Sequence, residues 1–377
     1  MMYRIRKYLA YKQFIPTKKD LDCEKLKELT NQLKTKTFDE TLVNIAEWQD
    51  RNIKYWDERG GIINYILIVS ITILSIIIGN INNFAYFLLL LIPFLIIGKE
   101  TLNIIFNIII LGVSLLLPFV FLILTIPSIT ISSNFLILFI ALSFILGAFI
   151  SSILSIYFKY RNIKRFIPDF DMGDTFKLSL PVEKILKYRL SICRDYAKLT
   201  AALLLSIYPK NEVYFLLIPS HVAVGIKKDN NIFVIDQKLP ILTFNSWKEK
   251  WKKRFNKKRL NIEIFKIYLK NKDIEIQPIK EKNIIEQKTI LDIKKLNKNL
   301  SSLLNIDEVK EKKKPSLEIP IKNILPLIQN EELIEKSLFE FIKNKIEDEL
   351  VGNIKNLKGI HLEKRNDDLI IKLWLKI

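Results

Sequence analysis

Ser191-Ile192-Cys193-Arg194-Asp195-Tyr196-Ala197 opens a run, through Leu205, whose apolar spacing predicts a buried helix. The 377-residue chain holds two cysteines and two histidines. His221 lies a short way downstream in one apolar stretch. Asp236 lies in another, Phe233-Val234-Ile235-Asp236-Gln237. Cysteine, histidine and aspartate in that order, on helix, strand and strand, can build an activated thiol nucleophile. Each type serves a separate need. A free thiol is mostly protonated near neutral pH, with a reference pKa of about 8.5. The positive end of a helix and an adjacent imidazolium both favour the thiolate. A carboxylate on the far ring nitrogen fixes the imidazole in one orientation. Cys193 is then the nucleophile, His221 the general base and later the general acid, and Asp236 the orienting group. The backbone N–H of Cys193 is a natural oxyanion donor.

These residues resemble the transglutaminase-like superfamily, whose members have a papain-like core. Cys193 to Ala197 is similar to the family's nucleophile-helix start. His221-Val222-Ala223-Val224-Gly225 is similar to the strand that opens on its histidine, and Val234-Ile235-Asp236 to the end of the strand bearing its aspartate. Two positions depart from the pattern. Ser191 and Ile192 stand where glycine often precedes the cysteine, and Val222 and Ala223 where an aromatic often follows the histidine. The resemblance implies an acyl-thioenzyme, with a protein or peptide amide as substrate. Ile45 to Tyr55, with Trp48, is similar to the helix that precedes the nucleophile helix in these domains. On that likeness the catalytic domain is split by an insertion.

The insertion has its own signature. Hydrophobic residues make up 49% of the chain and charged ones 26%, yet residues 62–158 carry only Lys99 and Glu100. A bilayer core needs about 20 apolar residues per helix. Ile62–Gly79, Asn83–Gly98, Asn103–Pro127 and Phe135–Phe158 suit four spans. Arg51, Lys54 and Arg59 precede the first, Lys99 falls between the second and third, and Lys159, Arg161, Lys164 and Arg165 follow the fourth. The expectation is an integral, multi-pass membrane protein with its N- and C-terminal soluble parts on the cytoplasmic side. No ionisable residue sits in mid-span, which favours an anchor over a transporter. Met1–Asp20 lacks the apolar region of a signal peptide.

Two cysteines and two histidines can supply neither a disulfide framework nor a zinc set, so no cofactor or metal is expected. The net charge of +19 lies mostly after residue 158. Lys248, Lys250, Lys252, Lys253, Arg254, Lys257, Lys258 and Arg259 cluster around Trp251 and Phe255. Such a run suits anionic membrane lipid as well as it suits a solvated helix face. No nucleic-acid motif accompanies it, and no nucleic acid is expected as partner.

The expected fold class is α+β, with a four-helix transmembrane anchor, a papain-like or transglutaminase-like soluble domain and a small α+β C-terminal unit. The expected domains are residues 1–61 (N-terminal helices, alternatively the first part of the transglutaminase-like domain), 62–158 (four transmembrane helices), 176–245 (catalytic core), 246–315 (basic extension) and 316–377 (C-terminal unit). Two functions compete. One is a membrane-anchored cysteine enzyme that cleaves or transfers amide acyl groups through an acyl-thioenzyme, with a hydrolase or protease favoured over a transglutaminase. The other is a catalytically silent, membrane-bound interaction module that keeps the fold.

Overall fold

The computed structural model describes residues 14–56, 160–281, 292–308, 314–351 and 356–376, except 162, 172, 175, 176, 272 and 305. Residues 1–55 and 178–377 make one unit and residues 56–177 a second. In the second, Trp56 meets Phe170 edge-on at 5.4 Å between ring centroids.

The first unit begins with three helices, α1 (Lys18–Leu21), α2 (Glu24–Leu33) and α3 (Phe38–Asn52). Thr17 and Asp20 cap α1 reciprocally, the Thr17 hydroxyl accepting from the Asp20 N–H and the Asp20 carboxylate accepting from the Thr17 N–H. Leu26, Leu29 and Leu33 recur at helical spacing and form the buried face of α2. The sequence pattern runs a helix from Phe38 to Arg59, but α3 stops at Asn52. Tertiary partners take the chain over there. The Ile53 carbonyl accepts from the Tyr196 hydroxyl at 2.6 Å, and the Lys54 N–H donates to the Arg189 carbonyl at 2.8 Å. The strand β1 (Lys54–Tyr55) follows.

The chain returns in α4 (Val182–Tyr188), whose first N–H is accepted by the buried Asp20 carboxylate at 2.8 Å. β2 (Leu190–Ser191) then pairs in parallel with β1. This pairing ties the N-terminal segment to the two residues that lead into α5 (Cys193–Ile207). Apart from Cys193, Arg194 and Ser206, every residue of α5 is buried. A helix buried on nearly every side needs neighbours on every side; α2, α3 and α4 flank it, and a sheet supports it.

That sheet follows in β3 (Val213–Ile218), β4 (His221–Lys228), β5 (Asn231–Asp236) and β6 (Lys238–Thr243). After α6 (Phe244–Arg254), β7 (Glu263–Lys270) and β8 (Asp273–Ile279) extend its other edge. The strand order is β6-β5-β4-β3-β7-β8, all antiparallel. Lys228-Asp229-Asn230-Asn231 closes the β4–β5 hairpin, with Asp229 at φ 53°. Gly225 belongs to close packing: a Cβ there would stand 2.6 Å from Ile232 Cγ2.

Beyond the sheet come α7 (Ile293–Leu304), β9 (Asp307–Glu308), β10 (Leu317–Ile321), α8 (Glu332–Glu349), β11 (Leu357–Arg365) and β12 (Asp368–Leu375). A second sheet has the order β10-β12-β11-β9. The β11–β12 hairpin turns at Asn366, φ 59°. α8 packs on β6 and α3, and the Ser337 hydroxyl accepts the Ile241 N–H at 3.2 Å.

Two expectations are corrected. Among the described residues no helix is long and apolar enough to cross a membrane, and these residues form a mixed α/β fold with several sheets. The four-helix transmembrane anchor is therefore not part of the observed architecture, and neither is the multi-pass membrane placement with both soluble ends on the cytoplasmic side. Its four segments, within residues 62–158, lie outside the described residues. The physical reason is that the described helices run to 18 residues at most, and apolar faces such as the three leucines of α2 are buried against protein.

Candidate functional site

Cys193 is the first residue of α5, with Ile192 in extended conformation as N-cap. Its position is fixed by Asp195, which is fully buried. One Asp195 oxygen accepts the Leu180 N–H at 2.8 Å and the other accepts the Ile192 N–H at 3.3 Å. A carboxylate at the third helical position thus holds the turn that presents the thiol. Tyr196 and Thr200, one and two turns into α5, anchor the helix to Ile53 and Gln49. Cys193 itself is half-buried, so its sulfur sits at the rim of the packed core.

His221 is the first residue of β4 and follows Ser220, whose φ of 62° turns the chain out of β3. Asp236 is the last residue of β5, next to a register shift between Val234 and Asp236 against β6. In the β4–β5 ladder Val224 faces Ile235. Continued by one step, that register puts Asp236 beside Ala223, diagonal to His221, with both side chains on one sheet face. His221 Nε2 and Asp236 Oδ1 are 2.6 Å apart, and each side chain is 9% exposed.

Both groups have shifted proton affinities. Burial disfavours a charge on the His221 ring, but the Asp236 carboxylate overcomes it, with help from the neighbouring Cys193 side chain; together they push His221 up to about 9. Burial likewise disfavours the Asp236 charge, but His221, with Lys250 and the Trp247 indole, holds that carboxyl down at about 2. With Nε2 given to Asp236, Nδ1 is the ring nitrogen left for the sulfur. The buried carboxylate keeps the ring cationic, with the Cys193 side chain beside it.

Two tryptophans absent from the sequence-level site complete it. Trp247 Nε1 and Trp251 Nε1, both on α6, donate to Asp236 Oδ2 at 2.9 and 3.1 Å. The Trp251 ring lies 4.1 Å from the His221 ring, tilted by 30°. An aromatic therefore does flank the histidine, supplied by α6 instead of the position after it. The i, i+4 spacing of Trp247 and Trp251 was the available signal, since it places both indoles on one helix face.

The basic run around Trp251 is partly neutralised. Lys248 pairs with Glu281, Lys252 with Glu249 and Lys253 with Asp367, while Arg254 lies over the Trp251 ring. Lys257, Lys258 and Arg259 are exposed beyond the end of α6. His361, the other histidine, stands on β11 opposite Lys372. Among the described residues no group of three or more histidines, cysteines and carboxylates could hold a metal.

A family model described as a transglutaminase-like domain matches residues 24–268. A UPF0252 protein of Methanocaldococcus jannaschii is 32% identical over 200 residues, which cover 53% of this chain and 56% of that protein. A UPF0252 protein of Pyrococcus horikoshii is 25% identical over 256 residues, covering 59% and 80%. An uncharacterized protein of M. jannaschii is 33% identical over 66 residues, covering 17% and 94%. The first of these relatives is thus matched over little more than half its length. No solved structure matches the chain.

Proposed function

This chain belongs to the transglutaminase-like domain family, and from that premise we propose that it is a cysteine acyl-transfer enzyme that cleaves a protein or peptide amide. One observation carries the reading: His221 Nε2 stands 2.6 Å from the Asp236 carboxylate, and the Cys193 side chain lies beside the same ring, close enough to act on its charge. An imidazolium beside a thiol favours the thiolate. The Cys193 sulfur attacks the amide carbonyl carbon, and the carbonyl π electrons move to oxygen. The Cys193 N–H, at a helix start where backbone donors lack intrahelical acceptors, receives that oxyanion. On collapse the C–N bond breaks, and the amine leaves with the proton from His221. The neutral ring then takes a proton from water, whose oxygen attacks the thioester carbon. The C–S bond breaks, the carboxylic acid leaves and the thiolate–imidazolium pair is restored. Asp236 keeps the ring oriented throughout. Water reaches a half-exposed thioester without a further binding site, so hydrolysis is the reaction we assign; transfer occurs when an amine arrives first.

Cys23 serves as an internal reference in the test. Iodoacetamide labelling near neutral pH, mapped by mass spectrometry, is expected to modify Cys193 much faster than Cys23, and His221→Ala is expected to abolish the difference. A peptide amide library should leave an acyl adduct on Cys193 when quenched. Equal labelling of the two cysteines, or a Cys193 rate indifferent to His221→Ala, would sink this reading and leave an interaction module with the family's fold.

A further inference from the structure

Asp236 is a buried carboxylate with two oxygens and two different tasks. Oδ1 faces His221 Nε2. Oδ2 points away from the ring and would be an uncompensated acceptor without the Trp247 and Trp251 indole N–H groups at 2.9 and 3.1 Å. A carboxylate held on one side only can rotate about its Cβ–Cγ bond. Two donors on the second oxygen fix the plane of the group, and with it the direction from which Oδ1 meets the imidazole. α6 is itself tied down at its N-terminal end, one turn before Trp247 and two before Trp251. Its N-cap Thr243 accepts from the Ser246 N–H, and the buried Gln329 amide donates to the Thr243 and Ser246 hydroxyls. The Trp251 ring also lies against the imidazole, where an aromatic face favours the cationic form.

We propose that Trp247 and Trp251 are positioning residues: their indole N–H groups clamp the second oxygen of Asp236, so that the first stays aimed at His221, and the Trp251 ring supports the imidazolium. The proposal deepens the cysteine-enzyme reading and rests on it for its catalytic meaning. The charged groups around Asp236 are His221 from β4, Lys250 from α6 and Lys238 opposite it on β6; Cys193 on α5 reaches it through His221.

Phenylalanine keeps a ring and removes the donor, so Trp247→Phe, Trp251→Phe and the double variant isolate the clamp. The readout is the titration of the His221 ring and the Asp236 carboxyl by NMR on selectively labelled protein, which needs no turnover. In the wild type the carboxyl holds no proton between about pH 3 and 6, because its own titration is centred at about 2. Each lost donor is expected to raise its proton affinity about tenfold, or one pH unit, bringing a transition into that window in the double variant. Trp251→Leu, which removes the ring as well, is expected to lower the His221 transition, whereas Trp251→Phe leaves it nearly in place. The Cys193 labelling rate of the double variant should fall about tenfold at neutral pH. Trp251→Phe, which keeps an aromatic ring at this buried position, supplies the single variant that remains readable should the double one lose its circular-dichroism signature. Folded variants with wild-type titration of both groups would overturn the clamp. A clamp seen by NMR in a protein whose wild-type Cys193 labels no faster than Cys23 would instead refute the enzyme reading alone.

Discussion

Asp236→Asn tests the centre of the site with one atom exchanged. His221 stands at about 9 against an ordinary 6.5 because a carboxylate faces it. With burial still disfavouring the charge, loss of the carboxylate takes the ring at least back toward 6.5, and reaching that value lowers its charged-to-neutral ratio by about 300-fold, or about 3 kcal/mol. Orientation adds to this. The two indole N–H groups meet the far side of the residue 236 head group. An amide must turn its oxygen to those donors, and its NH2 then faces His221 Nε2. A neutral ring in that setting accepts at Nε2 and carries its proton on Nδ1, the nitrogen that must take the thiol proton. Trapping the wrong tautomer costs about 10⁴ in turnover in serine triads, and a loss of about 10³ to 10⁴ is expected here. Thiol labelling responds less, because a free thiol is already about 3% ionised at pH 7; a fall of up to about 30-fold is expected. Labelling rates between pH 5 and 10, with NMR of the two histidines, measure both. A wild-type His221 that titrates near 6.5, or a labelling profile shared by wild type and Asp236→Asn, would show that the carboxylate does not govern the ring.

Three further outcomes follow from the same geometry. The His221 proton is bound more tightly in the folded chain, so its stabilisation is full below about pH 6.5 and fades as pH rises through about 9. The Asp236 proton is bound less tightly, so its stabilisation is full above about pH 3.8 and fades as pH falls through about 2; the Tm gap between wild type and Asp236→Asn should therefore peak between about pH 4 and 6.5. Asp195→Ala strips the Leu180 and Ile192 N–H groups of their acceptor and should cost about 2 to 4 kcal/mol in urea unfolding, together with a slower Cys193 label; an unchanged midpoint contradicts this. Gly225→Ala drives a methyl into Ile232 and should cost about 1 to 3 kcal/mol, part of which Ile232→Ala in the same chain restores; strict additivity of the two losses would be the contrary result.

Local pattern carried much of this protein. The order Cys193, His221, Asp236 was visible, and so was the apolar run of α5, whose spacing depends on residues a few positions apart. The end of α3 was not. Helical spacing continues through Trp56, but the backbone at Ile53 and Lys54 bonds to Tyr196 and Arg189, more than 130 positions on in the chain numbering. Depletion of charge in residues 62–158 suggested spans that no described helix provides.

Composition and order by themselves determined which side chains could form a thiol relay and that a buried helix would lead with the cysteine. Only the tertiary structure decided what holds the carboxylate: α6 folds back over the ends of β4 and β5, and two indoles from a segment that reads as a basic surface reach Asp236. Their hydrogen bonds depend on where a helix crosses a sheet, a direction in space that no spacing along the chain encodes.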